Sequence, residues 1–332
     1  MVAGCMVRRW AKILIIIYCL LSSMILWNSS LGQDRSNIKP YCTGQTDLAV
    51  SSDCAFSAVD DMVIDTKNNF IIVDSFGTGE VYVFNEKGEF VRIIGRKGKG
   101  PGEYLQPTSI TIHPSGQLWI CDYMNRRINI YAENYTYIKS VFIEGGRVHP
   151  HIFTPTNDDI IMYNGMLYPM NNELHDTIIK YNKTNKTITR FAPLQSEVLD
   201  INFSSMRNGI AVDQKGYIYE INPIFYQIRK YDFKGNFVKK LTPRSTIYTT
   251  RSKNTIIING LFIIGEKYII VQIKNHIDIY NLELNRITEE LPFEEKIIYS
   301  DSKGFYTITW SYENPGLEKD CVRIKYYELA EM

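Results

Sequence analysis

The ten residues GRKGKGPGEY, 95–104, combine four glycines, three cations and one proline. Glycine-rich loops with a lysine nearby can cradle phosphates, so a nucleotide site is the first chemistry to test. A P-loop needs G-x-x-x-x-G-K-[ST] ahead of a helix. Gly95 and Gly100 have that spacing, but Pro101 stands where the lysine belongs. A dinucleotide fingerprint needs G-x-G-x-x-G opening a helix whose N-terminus holds the phosphate. Gly98, Gly100 and Gly102 run G-x-G-x-G, and a strand pattern follows from Ser109. The stretch is therefore expected to be a loop whose glycines permit tight, positive-φ bends. Arg96, Lys97 and Lys99 are expected to be solvated and to lend positive potential to the surface the loop joins.

Asp122, Asn125 and Arg127 lie close together just downstream. Side chains of this kind can act as acid, base and anion clamp. They more often satisfy the backbone of a bend or tie neighbouring strands together, and that structural role is the expectation here. His149 and His151 alternate in RVHPHIF, so on an extended strand they point the same way. With His175 they form a weak candidate set for zinc, which takes imidazoles from separate loops. No Gly-x-Ser-x-Gly elbow anchors a hydrolase triad, and no CxxC suggests a zinc ribbon. No cofactor is expected; zinc or calcium would be the metals of an alternative site. Tyr104, Tyr123, Tyr168, Phe225, Tyr226, Trp310 and Tyr312 fall in or beside loop patterns, where exposed aromatics make platforms for sugars, peptides or proteins.

The elements that must position these residues are short strands. Residues 110–143 read as four of them, SITIH, QLWICD, RINIYA and YIKSVFI, separated by Pro, Gly and Asn turns. The same grammar restarts at Met62, His151, Gly209, Gly260 and Lys296, with first turns near Asp65, His113, Pro155, Asp213, Gly265 and Asp301. Nothing reads as an amphipathic helix. The 23 Tyr and 15 Phe favour β structure. A single antiparallel sheet cannot bury both faces alone, but six arranged radially cover one another. The expected fold is all-β, a six-bladed β-propeller of four-stranded antiparallel blades, with residues 46–56 as a possible outer strand beside the last blade.

The segment GRKGKGPGEYLQPTSITIHPSGQLWICDYMNRRINIY resembles the NHL repeat of six-bladed, TolB-like propellers. The residues that carry the resemblance are Gly100, Pro101, Gly102, Glu103, Tyr104, Pro107, Gly116, Asp122, Asn125, Arg127 and Ile128. It covers about 40 residues in the second blade and weakens elsewhere. The first blade has Asp74 without Asn-x-Arg, and the fourth has Gln227 and Ile228 where Arg-Ile would stand. The whole chain resembles exported six-bladed propellers of Bacteroidetes-type bacteria. The resemblance implies two enzymatic alternatives. One NHL-type lyase, which cleaves peptidyl hydroxyglycines, uses a zinc site made of histidines. Lactonase-type propellers hold calcium on the axis, for which Asp74, Asp122 and Asn222 would be the counterparts.

In such a blade the loops joining strands two and three share a face with the crossings to the next blade, and the tight turns lie opposite. Loops carry function while sheets hold them. The binding set expected on the long-loop face is Arg96, Lys97, Lys99, Tyr104, Asp122, Tyr123, Arg126, His149, His151, Tyr168, Arg207, Tyr226, Trp310 and Tyr312.

Residues 1–32 read as an export signal. Arg8, Arg9 and Lys12 precede a 15-residue apolar run, and Ser30 and Gly32 occupy the minus-three and minus-one places before Gln33. The run is short of the roughly 20 residues that span a bilayer, so membrane contact is expected only if the segment stays uncleaved. Residues 33–57 form an N-terminal segment and 58–332 the propeller. Beyond residue 32 the charges are 34 basic against 36 acidic, which excludes the basic excess of a nucleic-acid binder. Export permits a Cys42–Cys54 disulfide. The function expected is an exported, monomeric, non-catalytic propeller that binds a glycan, a peptide or a cell-envelope protein. Its alternative is a zinc or calcium lyase or lactonase on the central axis.

Overall fold

A computed structural model describes residues 38–49, 59–75, 77–142, 152–153, 159–163, 176–182, 184, 186–193, 209–222, 226–243, 258–311 and 321–331. Among these residues there is no helix. The chain opens with β1 (Ile38–Leu48). Blade one follows as β2 (Asp61–Ile64), β3 (Phe70–Asp74), β4 (Glu80–Phe84) and β5 (Phe90–Ile94). Two short strands, β6 (Arg96–Lys97) and β7 (Glu103–Tyr104), lie in the crossing to blade two. Blade two is β8 (Pro107–Ile112), β9 (Leu118–Asp122), β10 (Arg127–Tyr131) and β11 (Tyr137–Phe142). Blade three is β12 (Ile152–Phe153), β13 (Asp159–Tyr163), β14 (Asp176–Asn182) and β15 (Ile188–Pro193). Blade four is β16 (Ile210–Val212), β17 (Ile218–Asn222), β18 (Gln227–Tyr231) and β19 (Phe237–Leu241). Blade five is β20 (Ile258–Ile264), β21 (Tyr268–Ile273), β22 (His276–Asn281) and β23 (Arg286–Pro292). Blade six is β24 (Lys296–Ser300), β25 (Gly304–Ser311) and β26 (Cys321–Glu331), completed by β1.

Each blade is a four-stranded antiparallel sheet. The strands read as unbroken apolar runs because both faces of each sheet are covered. In β3, Phe70 and Ile72 pack toward blade six, while Ile71 and Val73 pack toward blade two. Side chains alternate across a strand, so one run serves two interfaces. The six buried apolar clusters correspond to the six junctions between neighbours and close the ring.

Closure depends on β1, which pairs with β26 from Ile38↔Glu331 to Leu48↔Val322. The Arg323 guanidinium grips Asp47 with two bonds, at 2.7 and 3.1 Å. The outer strand was expected at 46–56, but β1 lies earlier and shares only Thr46, Asp47 and Leu48 with that span. Its two anchors explain the register: Leu48 and Ile38 are both buried at opposite ends of a largely exposed strand. Cys42 is exposed on β1 and free, with its Sγ 3.4 Å from the Gly44 carbonyl. Cys54, the partner expected for Cys42, lies outside the described residues, as does the segment read as an export signal.

The tight turns line the face opposite the crossings. Asp65 caps the first turn of blade one by accepting the Lys67 and Asn69 amides. Asn85, Asp213, Asp232, Asn281 and Asp301 bind their own turns in the same way, each a short polar side chain offering the backbone a local acceptor.

Candidate functional site

The crossing from blade one to blade two is held from below by blade two. Gly95 takes φ +72° and turns the chain. β6 and β7 then pair in parallel, Arg96↔Glu103 and Lys97↔Tyr104. Arg127 donates to the carbonyls of Lys99 (3.1 Å), Gly100 (2.7 Å) and Glu103 (2.8 Å). Asn125 donates to Gly98 at 3.0 Å, Asn129 to Glu103 at 3.0 Å and Tyr131 to Gly102 at 3.0 Å. The loop carbonyls thus point inward. Asp122, fully buried, accepts the Leu105 and Gln106 amides at 3.1 Å and the Asn125 amide. Glu103 accepts the Gly100 amide at 2.7 Å and Arg96 Nε at 2.7 Å, and these bonds hold its carboxyl below the usual range.

Gly95 has no room for a side chain. A Cβ there would lie 2.3 Å from a Tyr104 ring carbon and 2.6 Å from the Gly102 carbonyl. We expect Gly95→Ala to cost ~2 kcal/mol from the positive φ alone, plus the clash, measured as a lower denaturation midpoint.

The structure brings together part of the expected set. Arg96 (81% exposed), Lys97, Lys99 and Arg126 stand outward on the crossing and on the adjoining β9–β10 loop. Arg96 is paired with Glu103, whereas Lys97, Lys99 and Arg126 form no ion pair among the described residues. Met124 and Phe142, exposed apolar side chains, belong to the same blade.

Three expected platform aromatics are corrected. Tyr104 is fully buried, because neighbours on β7 point to opposite sides and Glu103 takes the outer one. Tyr123 is buried beside the crossing, its amide donating to Gln106. Tyr226 turns inward at φ +43° and donates to Asp278 and shares a hydrogen bond with Tyr280. Burial raises the pKa of both Tyr104 and Tyr226 well above the ordinary value. Asp122 is likewise corrected from ligand contact to loop anchor. His149, His151, His175, Tyr168, Arg207 and Tyr312 lie outside the described residues, and of Trp310 only the β25 backbone is described. Asp74, a calcium counterpart, accepts the Gly77 and Thr78 amides. Among the described residues no three His, Cys, Asp or Glu side chains converge as a metal set.

A second feature lies away from the rim. A cavity of about 280 Å³ lies on the axis, lined by β2, β8, β16, β20 and β24 and by the first turns of blades four, five and six. Asp61 of β2 is one of its lining residues and is buried. Its carboxylate accepts the amides of Met62 (2.9 Å) and, across the blade junction, Ile110 (2.9 Å). Burial pushes its pKa up to about 7, against the Ile110 and Met62 amides, the Ser109 hydroxyl and Lys296. The signal was present in VDDMVI, a carboxylate inside an apolar strand. The folded protein binds more protons than the unfolded chain between the ordinary carboxylate range and about pH 7, so this group's contribution to stability falls as pH rises through that window. Asp61→Asn is expected to melt about 4 °C above the native protein at pH 8, and to match it below pH 4, in thermal unfolding.

A ring of antiparallel four-stranded blades with its loops gathered on one face defines a β-propeller. The family model described as a 6-bladed beta-propeller matches residues 47–219, and the chain belongs to that family. No curated protein matches the sequence. Among solved structures, a candidate exported protein of Bacteroides fragilis aligns with a TM-score of 0.59 at 12% identity, covering 90% of this chain and 96% of that one. A Bacteroides vulgatus protein aligns at 0.60 and 10%, covering 90% and 100%. Virginiamycin B lyase of Staphylococcus aureus aligns at 0.55 and 11%, covering 87% and 99%. At these identities the likeness concerns the fold.

Proposed function

We propose that the protein is an exported binding propeller without catalytic activity, and that its binding surface is the rim built on residues 95–104. One observation carries the reading. The groups there that could do chemistry, Asp122, Asn125, Arg127 and Glu103, are spent on holding the loop. What remains free is a rigid platform that presents Lys97, Lys99 and Arg126 to solvent. A preorganised loop loses little entropy on binding, and three cations with no ion pair among the described residues favour an acidic glycan, an acidic peptide or an acidic face of a cell-envelope protein. Export rests on the charged and apolar N-terminus and on the fold shared with a candidate exported protein.

Glycan and peptide arrays probed with the native protein and with the Lys97→Glu/Lys99→Glu double variant test this. Acidic ligands should be retained by the native protein, lost at high salt, and lost in the variant. An array without binders, or tightly held stoichiometric zinc or calcium in the purified protein, would overturn the reading.

A further inference from the structure

The axial cavity points to a ligand of another kind. Each innermost strand is hydrogen-bonded on one side only, β2 to β3, β8 to β9, β16 to β17, β20 to β21 and β24 to β25. Their other edges, with N–H and C=O groups, face the axis. Buried backbone groups need partners; side chains supply some, Asp61 for the Ile110 amide and the Ser300 hydroxyl for the Ile263 carbonyl, and the cavity lies beside the remaining strand edges. About 280 Å³ holds roughly nine waters at about 30 Å³ each, or one small organic molecule. Asp61 lies within, and Asp213 and Asp301 lie toward the tight-turn face. Among the described residues the lining holds three carboxylates, Asp61, Asp213 and Asp301, and no Lys, Arg or His, so its side-chain charges favour a cation.

We propose that this cavity is a second ligand site, entered from the tight-turn face, that takes a small organic cation with a primary ammonium group. An ammonium has three N–H donors and no acceptor. Strand-edge carbonyls and the Asp61 carboxylate are acceptors only. Ile110, Ile210 and Ile298 add apolar surface to the lining, although their side chains pack mainly in the blade junctions.

The Asp61 carboxylate keeps acceptor capacity, because the Ile110 and Met62 amides and the Ser109 hydroxyl occupy three of its about four acceptor sites. The charged groups around it are few. Lys296 of β24 donates to the Val59 carbonyl at 3.3 Å. Tyr299, also on β24, is held neutral by burial. Ser109 is the polar neighbour on β8. Asp74 on β3 and Asp60 turn their carboxylates to other amides, those of Gly77, Thr78 and Ser75. An ammonium arriving at Asp61 favours the charged carboxylate and lowers its pKa. Binding at neutral pH must therefore release a proton, and affinity must rise with pH. The site is independent of the rim, so either assignment can fail without the other.

Isothermal titration of the purified protein with ethanolammonium chloride tests it, at pH 6, 7 and 8, in phosphate and in MOPS. Saturable one-to-one binding is expected. Affinity should be about tenfold higher at pH 8 than at pH 6, the ratio of ionised carboxyl for a group titrating near 7. At pH 7 the heat should differ between the buffers by the heat of the released proton. Asp61→Asn still offers an oxygen to the Ile110 amide, and should abolish both the pH slope and the buffer difference. Asp301→Asn keeps its turn bonds to Lys303 and Gly304 and should weaken binding about threefold with the slope intact. If Asp61→Asn does not fold, the native slope, the native buffer difference and Asp301→Asn decide. Absence of saturable heat at every pH, a native profile flat with pH, or an Asp61→Asn profile identical to the native one overturns the proposal.

Discussion

Arg229→Met is expected to lower stability by about 3–5 kcal/mol, the cost of leaving one partner of a buried ion pair alone. Arg229 of β18 and Glu220 of β17 are 6% and 1% exposed. They meet through two bonds of 2.6 and 2.8 Å, the planar fork that lysine cannot reproduce. The pair also joins two blades. Arg229 donates to the Pro193 carbonyl of blade three at 2.9 Å, and the Thr177 hydroxyl of blade three lies 2.6 Å from the Glu220 carboxylate and 3.0 Å from the Ala192 carbonyl. Without the guanidinium, Glu220 is a buried charge facing a hydroxyl, and Pro193 loses its donor. The melting temperature should fall by roughly 10 °C at pH 7. Arg229→Lys should lie between the two. Replacing both residues with methionine should recover most of the stability, because the desolvation cost vanishes together with the attraction. A loss below about 1 kcal/mol in Arg229→Met would mean that water already reaches the junction of blades three and four.

The same two blades illustrate what a sequence carries and what it hides. IYEIN and QIRKY read as strands from their alternation and the Pro223 that follows the first, because strand formation answers to neighbours one and two residues away. The blade count was legible for the same reason: FIIV, LWIC and YIIVQI are runs that only a sheet covered on both faces can bury. Sidedness was not legible. Tyr226 sits in a loop pattern that suggests exposure, yet it is drawn inward by Asp278, 52 residues further on. Tyr104 is buried because Glu103 takes the outer side of a strand only two residues long. Asp61 was visible as a carboxylate among apolar residues, but its partner Ile110 is 49 residues away on the next blade. Local pattern defined the blades. The contacts between blades decided which polar residues are anchors and which are free.

Arg127→Met should have the second largest effect, with a different signature. Arg127 is 6% exposed, lies 3.6 Å from the buried Asp122 carboxylate and satisfies three carbonyls of the 95–104 crossing. Its removal strands the Lys99 carbonyl, leaves the Gly100 and Glu103 carbonyls with one donor each, the Glu103 amide and Asn129, and leaves Asp122 without its cation, again an expected loss of about 3–5 kcal/mol. The damage should concentrate in the loop, since blade two keeps its apolar junctions with blades one and three. In hydrogen exchange, the Gly98 and Gly100 amides, bonded to Tyr104 and Glu103, should exchange at least about a hundredfold faster, which corresponds to roughly 3 kcal/mol of local opening. The Ile120 and Val83 amides in the blade centres should change no more than global stability requires. Acidic-ligand binding at the rim should weaken although Lys97, Lys99 and Arg126 are untouched, because a loosened loop must be reordered on binding. Unchanged exchange in 95–104 would show that the β6–β7 pairing and the glycine bends hold the loop unaided. Faster exchange with undiminished binding would separate the loop's rigidity from its charge, and charge alone would then account for the rim.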